Sequence, residues 1–381
     1  MAKQRIIHAN IVLEKEIWKN GSVLIDNGTI IEVSDNNDVS ENVTIIDAKN
    51  KLLIPGMVDV HIHGANGFDM MDGTTESVQE VSKQCAKTGC TSFLATSVTS
   101  SLDALEEMID SVKKVKGQEQ GASIAGIHLE GPYLNEKRKG MQNQKYLREP
   151  NVSEIDKLLV RAESFIKMVT VAPELDGGLE LVKYLVEKEV IVAIAHSDAT
   201  YEEAKEAFQH GASHVTHCFN AMSPIHHRKP GVVTAAFEQE HVSLQAIVDN
   251  VHLHPAIVRL MHRIKGSEKL VLITDALQAM GLGDGQYHFG GHHVTVKDGI
   301  ATLSDGTLAS STVTMNQALK KTFENGVPLV DAVRMAATTP AELLGLMRKG
   351  KIAEGYDADL VLLDEDFHVS KTMKEGHIIS L

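Results

Sequence analysis

A short run that ends in two histidines constrains this chain more than any other feature. Residues 55–64 read Pro-Gly-Met-Val-Asp-Val-His-Ile-His-Gly. Because successive side chains of a strand point to opposite faces, His61 and His63 share a polar face opposite an apolar one. That pattern suits the first strand of a (β/α)8 barrel, and two neutral imidazoles at this spacing can ligate one metal centre. The alternative is a pair of partly buried histidines with ordinary hydrogen bonds.

The middle of the chain alternates between apolar runs and amphipathic helical patterns. The helical patterns include Thr75–Thr88, Leu102–Lys116, Leu179–Lys188 and Tyr201–Gln209. The candidate strands are Met57–His63, Cys90–Ser97, Ser123–Glu130, Ile166–Ala172, Val190–His196, His214–Cys218, Ser243–Asp249 and Lys269–Asp275. Eight strands that alternate with helices predict an α/β fold, a parallel TIM-like barrel. A strand-rich insertion at about 286–303 should follow, and then helical segments over Thr314–Glu324 and Leu329–Leu344.

Both ends of the chain are predicted to be β-structure. The candidate strands are Arg5–Leu13, Ser22–Ile25, Thr29–Val33, Asp359–Leu363 and Gly376–Ser380. Asn27-Gly28 is a hairpin signal between two of them. We therefore expect a small β-sandwich domain built from residues 1–54 and 350–381, around a barrel of residues 55–349.

Charge and composition exclude several function classes. A net charge of −14 argues against a nucleic-acid-binding surface, although a local pocket can still bind an anionic small molecule. The scattered Cys85, Cys90 and Cys218 form neither a disulfide framework nor a zinc ribbon, which favours a reducing compartment. Residues 1–10 lack a signal-peptide pattern, and no apolar run is long enough to span a membrane. We therefore expect a cytoplasmic protein without nucleic-acid or membrane partners.

Potential metal ligands and acid–base groups collect at the ends of the predicted strands, where barrel enzymes place their chemistry. Besides the two histidines of the first strand, they are Glu130, His196, His217 and Asp275. Glu130, His196 and His217 would bind a divalent metal and leave one position open for water, whose pKa the metal lowers to about 7. Asp275 is placed to take a proton from that water, or to be a further ligand. The ligand types suit Zn²⁺ or another divalent first-row metal.

Several motifs resemble those of a known family. The run 55–64 and Gly-Lys-Ile-Ala-Glu-Gly-Tyr-Asp-Ala-Asp-Leu-Val (350–361) are similar to the amidohydrolase superfamily. His-Leu-Glu-Gly-Pro-Tyr-Leu-Asn (128–135), Lys-Gly (139–140) and Thr-His-Cys-Phe-Asn-Ala-Met-Ser-Pro-Ile-His-His-Arg-Lys-Pro-Gly (216–231) resemble its N-acetylglucosamine-6-phosphate deacetylases. The resemblance covers nearly the whole chain. It implies a metal-dependent homodimeric hydrolase that converts N-acetyl-D-glucosamine 6-phosphate to D-glucosamine 6-phosphate and acetate, in amino-sugar catabolism or cell-wall recycling.

The resemblance also implies roles for individual residues. Glu130, His196 and His217 would bind the metal, and Asp275 would accept and donate the proton. Arg228, whose planar fork of donors suits phosphate, would reach the neighbouring subunit's site. The other implied substrate contacts are Met141, Gln142, Asn220, Ala221, His252, Leu308, Ala309 and Ser310.

Three departures or open points bear on the chemistry. Some family members carry a carbonyl-polarising histidine where this chain has Gln142, so a neutral amide or the metal would take that role here. Ser310 stands where the family often has glycine. Members that keep His61 and His63 can hold two metals bridged by Glu130, so one or two ions per subunit are expected. Zinc is favoured, with iron, manganese and cobalt as alternatives.

The sequence leaves three alternative interpretations. The galactosamine isomer of the sugar phosphate or a cyclic amide would be alternative substrates. Cyclic-amide hydrolases of the superfamily usually bridge their metals with a carboxylated lysine, for which this chain offers Glu130 instead. A non-catalytic barrel used for protein assembly would be expected to lack ligands that are all present here.

Overall fold

The computed structural model describes residues 3–37 and 43–380, and its centre is a parallel barrel. The barrel strands lie side by side in chain order: Met57–Ile62, Cys90–Thr96, Ser123–Glu130, Ile166–Val171, Ile191–Ile194, His214–Val215, Ser243–Ile247 and Leu270–Ile273. Every neighbouring pair in this order is parallel. The predicted barrel is confirmed, and each strand lies within its predicted range.

The barrel closes where its first and eighth strands meet. The Asp275 N–H donates to the His61 carbonyl oxygen over 2.8 Å. Below it, the buried Asp59 carboxylate accepts the Thr274 hydroxyl over 2.6 Å. Both residues are buried, so water does not compete for this hydrogen bond. This seam therefore fixes the strand ends that carry His61, His63 and Asp275.

Helices follow most barrel strands, and hydroxyl caps set where several of them begin. Thr74 and Ser101, for example, accept N–H bonds from Ser77 and Ala104. The helices are Thr75–Lys87, Leu102–Val115, Val152–Ala162, Gly178–Glu187, Tyr201–Gln209, Gly231–Glu238, Pro255–Lys265, Met315–Glu324, Leu329–Val333 and Thr339–Leu343. Short 3-10 helices lie at Met70–Asp72, Glu136–Arg138 and Gln144–Tyr146. Across the described residues, none of the helices combines the length and apolar character that a membrane crossing requires.

One predicted helical segment contains an irregular turn. A π-helix, Arg334–Thr338, joins the last two α-helices, so the segment predicted over Leu329–Leu344 is helical almost throughout. The π-helix residues after Arg334 are buried. A π-bulge inserts one extra residue into a helix, and neither the hydrophobic spacing nor the capping residues of the sequence indicate it.

Both chain ends contribute to a second sheet. Its strands are Gln4–Val12, Ile17–Asp26, Thr29–Ser34, Thr44–Asp47, Leu52–Pro55, Leu360–Leu363, Val369–Lys374 and His377–Ile378. The sheet made from both ends is confirmed, and Leu53 and Leu360 are among the apolar side chains of its separate core. Val369–Lys374 escaped prediction because its alternating polar residues resemble a loop. Residues 1–2, 38–42 and 381 lie outside the description, and the domain limits at 54 and 350 stay predictions.

The insertion after the eighth strand is a three-stranded sheet that reaches the top of the barrel. Its strands are Gly285–Phe289, His292–Lys297 and Ile300–Thr302. Gly290 and Gly291 form its first turn with φ angles of 57° and 81°, the left-handed region that a tight hairpin turn requires. Phe289, just before that turn, places its ring centroid 5.2 Å from that of His63. The predicted strand-rich insertion is confirmed, and its Phe289 packs against His63.

Candidate metal centre and substrate cleft

A cleft of about 250 Å³ opens at the carboxyl ends of the barrel strands. It is lined by His63, Glu130, Gly140, Met141, Gln142, His196, His217, Asn220, Ala221, His252, Asp275, Thr307, Leu308 and Ser310. Most side chains predicted for the site are therefore in one place. Three lie off this lining. His61 is fully buried beneath the cleft, Ala309 is buried behind it, and Arg228 is exposed.

The ligand candidates form two groups in the described part of the chain. His61, His63 and Asp275 lie on the closing strands, and we call them the seam ligands. Glu130, His196 and His217 come from the third, fifth and sixth strands, and we call them the wall ligands. Within each group the potential ligand atoms all lie within 4.8 Å of one another.

Contacts between the two groups make them one centre. Glu130 Oε1 lies 2.9 Å from His217 Nε2, 3.3 Å from His196 Nε2 and 3.7 Å from His61 Nε2. Glu130 Oε2 lies 3.6 Å from His63 Nε2. The Asp275 Oδ1 atom is 3.1 Å from His63 Nε2 and 3.3 Å from His61 Nε2. Glu130 therefore stands between the seam ligands and the other wall ligands, as a bridging carboxylate would.

Hydrogen bonds on the far side of each imidazole determine which nitrogen faces the centre. The Nδ1 atoms of His63, His196 and His217 face the carbonyl oxygens of Thr96, Arg138 and Asn220 at 3.3, 2.8 and 3.2 Å. A carbonyl oxygen only accepts, so each Nδ1 carries a proton, and when the ring is neutral its Nε2 lone pair faces inward. The inward lone pairs and two carboxylates form a set of acceptors that a divalent cation fits.

The electrostatics of the centre favour a cation. Burial lowers the pKa of His61 to about 4, so its ring is neutral. Burial opposes charge on Asp275 as well, but His61 and His63 lower its pKa to about 2. For Glu130, burial is likewise outweighed by His61 and by hydrogen bonds from the wall histidines, which hold its pKa well below the usual range. Two ionised carboxylates therefore face the centre at neutral pH.

His63 is protonated at neutral pH, whereas His61 is neutral. Burial opposes its protonation, but the hydrogen bond to Asp275 and the charge of Glu130 raise its pKa to about 9. In the metal-free protein a proton on His63 therefore occupies the space between these groups. Ligation requires the neutral imidazole, so a metal would displace that proton.

Backbone strain is concentrated at the same residues. His196, His217 and Asp275 have φ angles of 46°, 31° and 49°. Ala221 and Ser310, with φ angles of 51° and 61°, add to this set. Residues other than glycine seldom adopt these conformations, and such strain is common at functional sites. It also explains why these ligands lie just beyond the regular strands, although the sequence predicted them at the strand ends.

Gln142 and Ser310 contact the ligands rather than only lining the cleft. The Gln142 amide nitrogen donates to Glu130 Oε2 over 2.6 Å, and its amide oxygen accepts the Thr99 N–H over 2.8 Å. Both ends of this buried amide are therefore engaged. The Ser310 hydroxyl lies 2.6 Å from the Asp275 carbonyl oxygen and 3.1 Å from Asp275 Oδ1, a contact that glycine would not make.

His252 is held by a local carboxylate. Asp249 Oδ2 accepts from His252 Nδ1 over 2.7 Å, and Asp249 Oδ1 accepts the backbone N–H groups of Val251 and His252 at 2.8 Å each. Burial opposes the charge on Asp249, but the His252 hydrogen bond lowers its pKa. These contacts with Asp249 fix the ring of His252 at the cleft that it lines.

Some residues of the site were not predicted. Gly140 and Thr307 line the cleft; Gly140 belongs to the Lys-Gly motif but was given no role, and Thr307 directly precedes the predicted Leu308. Gln245 lies behind the ligands, where its side-chain oxygen contacts His61 Nδ1 and the His217 backbone. It is the polar residue in the middle of the strand Ser243–Ile247, whose remaining interior residues are Leu244 and Ala246. A fully buried amide in such a strand is a signal that a partner lies nearby.

Comparison with known proteins places this centre in a family. The model of the amidohydrolase family matches residues 52–379. The chain belongs to the amidohydrolase family. The N-acetylglucosamine-6-phosphate deacetylase of Bacillus subtilis (strain 168) is 39% identical over 375 residues, which cover 97% of this chain and 95% of that protein. The N-acetylgalactosamine-6-phosphate deacetylase of Escherichia coli O157:H7 is 33% identical, over 98% of this chain and 99% of that protein.

Solved structures agree with the amidohydrolase assignment. The N-acetyl-D-glucosamine-6-phosphate deacetylase of Mycobacterium smegmatis, a mutant in complex with N-acetyl-D-glucosamine-6-phosphate, superposes with a TM-score of 0.94. It is 33% identical, and the match covers 100% of both chains. The fold of this amidohydrolase, with a barrel and a sheet made from both chain ends, is therefore that of the deacetylase structures, and its ligand groups suit a divalent metal.

Proposed function

We propose that this amidohydrolase removes the acetyl group of N-acetyl-D-glucosamine 6-phosphate, giving D-glucosamine 6-phosphate and acetate, in amino-sugar catabolism or cell-wall recycling. One observation carries the proposal. The seam and wall ligands surround a single cleft that also contains most of the side chains expected to contact this substrate. Near-full-length relatives that carry the deacetylase name support the same reaction.

The wall ligands are proposed to hold one divalent ion, and the seam ligands with Glu130 a second. Imidazole and carboxylate ligands favour zinc, although they also suit iron, manganese or cobalt. Such an ion would activate water and polarise the acetyl carbonyl, the two requirements of amide hydrolysis. Because Glu130 lies within 3.7 Å of histidines from both groups, it is the residue that would connect two ions.

Asp275 is proposed as the residue that transfers the proton. Its carboxylate is ionised at neutral pH and reaches the centre from the eighth strand. It would accept a proton from the attacking water and return it to the departing amine nitrogen, while the acetyl carbon–nitrogen bond breaks. Ser310 contacts both its carbonyl and its carboxylate and would hold it in place.

The remaining cleft residues are proposed to bind the sugar phosphate. Asn220 and Ala221, from the loop 216–231, line the cleft together with His252, Met141, Gln142, Leu308 and Ser310. Ala309 is buried and lies off this lining. Gln142 already binds Glu130, so any contact it makes to the acetyl group would be in addition to that hydrogen bond.

Arg228 supports a homodimer in which each subunit completes the other's phosphate site. It lies in an exposed segment, and its guanidinium contacts the neighbouring His227 at 3.0 Å rather than the cleft. His226, His227 and Lys229 surround it with further donors in a chain of net charge −14.

A cytoplasmic location is proposed because the three scattered cysteines favour a reducing compartment.

The test is release of acetate from N-acetylglucosamine 6-phosphate, with metal content measured on the same sample. Unphosphorylated N-acetylglucosamine, N-acetylgalactosamine 6-phosphate and a cyclic imide are the comparison substrates. Fast release from the glucosamine ester is expected. Equal rates on both unphosphorylated and phosphorylated sugars would refute the phosphate site. Preference for N-acetylgalactosamine 6-phosphate would reassign the substrate to that isomer, the substrate in the name of the Escherichia coli O157:H7 relative.

Arg228→Ala tests the phosphate contact separately. A residue that binds the phosphate equally in the ground and transition states should raise KM and leave kcat nearly unchanged. Steady-state kinetics on the phosphorylated sugar distinguish the two parameters. A loss confined to kcat would contradict the assigned role, and an unchanged KM would remove Arg228 from the site.

A further inference from the structure

Four imidazoles converge on the metal centre, and one of them is supported differently from the other three. The Nδ1 atoms of His63, His196 and His217 donate to backbone carbonyls. The Nδ1 atom of His61 instead faces the Oε1 atom of Gln245 at 3.0 Å. The orientation of this one ligand therefore depends on a side chain, which a substitution can remove.

The backbone of His217 determines which atom of Gln245 faces His61. The same Oε1 atom lies 3.2 Å from the His217 backbone N–H, which can only donate. The atom at this position must therefore be an acceptor, the amide oxygen. The amide nitrogen points the other way, with the Met168 sulfur at 3.6 Å. A reversed amide would place an NH₂ group against a backbone N–H.

This arrangement fixes the tautomer of His61. Because the amide oxygen only accepts, the proton of His61 lies on Nδ1. The Nε2 lone pair then faces the centre, where it lies 3.7 Å from Glu130 Oε1 and 3.3 Å from Asp275 Oδ1. Neither residue of this contact is exposed, since His61 and Gln245 are both fully buried, so water does not compete for the amide oxygen.

We infer that Gln245 is a positioning residue that connects the two ligand groups. One oxygen atom holds the ring of His61, a seam ligand, and the backbone of His217, a wall ligand. The adjacent backbone reinforces the link, because the Cys218 N–H donates to the Gln245 carbonyl oxygen over 3.0 Å. The seventh strand contributes no metal ligand of its own among those proposed, but it fixes the distance between the two groups. This inference deepens the proposed function, on whose metal centre it rests.

The test is a Co²⁺ titration of the metal-free, full-length chain, followed by calorimetry and by visible absorption. Gln245→Leu removes the acceptor at similar size, and we expect one of the two binding events to weaken by about 10- to 100-fold, as for other residues that orient metal ligands. The Co²⁺ absorption bands should also change. Gln245→Glu keeps an acceptor oxygen and should restore affinity towards that of the unaltered chain.

Ser243→Ala is the matched control. Ser243 lies two residues earlier on the same strand, is buried, and contacts the buried His214, which is not a proposed ligand, at 2.6 Å. This substitution removes a comparable hydrogen bond without touching the centre, and Co²⁺ affinity should stay unchanged. If Gln245→Leu titrates like Ser243→Ala, the inference is wrong.

A second measurement covers the case in which Gln245→Leu does not fold. Nitrogen-15 NMR of histidine-labelled, Zn²⁺-loaded protein should show His61 protonated at Nδ1 and ligated through Nε2. Protonation at Nε2 would overturn the inference. The acetate-release assay on the unaltered chain separates the two proposals. Metal binding without acetate release would refute the proposed reaction and leave the role of Gln245 to be decided by the titration.

Discussion

The seam ligands and the wall ligands use similar side chains but are supported in different ways. His61 and His63 lie on or directly after one regular strand, and their group is completed by Asp275 across the barrel closure. The wall ligands come from three separate strands, and two of them have left-handed backbones, as Asp275 does in the seam group. The imidazoles of the wall group and of His63 rest on main-chain carbonyls, whereas His61 rests on the side chain of Gln245.

This difference suggests which group is essential. In the wall group, both imidazoles are held by main-chain carbonyls, which substitutions elsewhere in the chain alter little. In the seam group, the ring of His61 depends on the side-chain amide of Gln245, and Asp275 is the proposed proton carrier. We therefore expect the wall group to hold the ion without which no reaction occurs, and the seam group to bind a second ion and move the proton.

His217→Ala should have the largest effect. It removes a wall ligand 2.9 Å from Glu130 Oε1, and the ion held there would be lost. Because metal activation is worth several kcal/mol and each 1.36 kcal/mol is tenfold, acetate release should fall by about 10³-fold or more. Metal content by elemental analysis and turnover on the same sample check this. Retained turnover with no ion at the wall ligands would invalidate the comparison.

Asp275→Asn should lower kcat by about 10²- to 10⁴-fold, the usual contribution of a general acid–base residue. The amide cannot take the proton, but the wall ligands are intact, so at least one ion per chain should remain. Turnover at saturating substrate is the measurement, with metal content as the control. Full activity would show that Asp275 does not carry the proton.

His61→Ala should have a smaller effect than His217→Ala. The chain should lose one of two ions, and acetate release should stay at least about tenfold above that of His217→Ala, a difference of about 1.4 kcal/mol in barrier. Parallel assays of the two variants sharpen the distinction between the groups. Equal losses would mean that seam and wall ligands hold one indivisible centre.

Phe289→Leu should have the smallest effect. The ring packs against His63 at 5.2 Å between centroids, and such ring contacts contribute about 0.5–1.5 kcal/mol beyond buried area. Leucine keeps the site apolar, so the midpoint of thermal unfolding should fall by only a few degrees while metal content stays the same. Loss of an ion in this variant would assign the insertion a direct part in holding the seam ligands.

Much of this molecule is predictable from its sequence, for identifiable reasons. The apolar runs of the barrel strands alternate strictly with amphipathic helices, so both the strand count and the positions of Glu130 and Asp275 near strand ends follow from periodicity. His61 and His63 follow from the alternation of one strand. Motif resemblance, rather than periodicity, indicated Met141, Asn220 and His252 as neighbours of the cleft.

Other features depend on tertiary structure that no local pattern contains. The contact of Gln142 with Glu130 spans 12 residues of sequence, and the contact of Gln245 with His61 spans 184. The left-handed backbones of His196 and His217 could not be predicted, because histidine adopts this conformation more often than most residues but still only rarely. The strand Val369–Lys374 is polar on one face and is stabilised by pairing with Leu360–Leu363.

The central claim is that the wall ligands hold a catalytic divalent ion. Anomalous diffraction from crystals of the active protein, at the absorption edge of the metal found by elemental analysis, tests it most directly. We predict a peak about 2.0–2.2 Å from Glu130 and from the Nε2 atoms of His196 and His217, as expected for nitrogen and oxygen ligands of zinc. A weaker or equal second peak at the seam ligands would agree with two ions. An active crystal with no peak among the wall ligands would contradict the account.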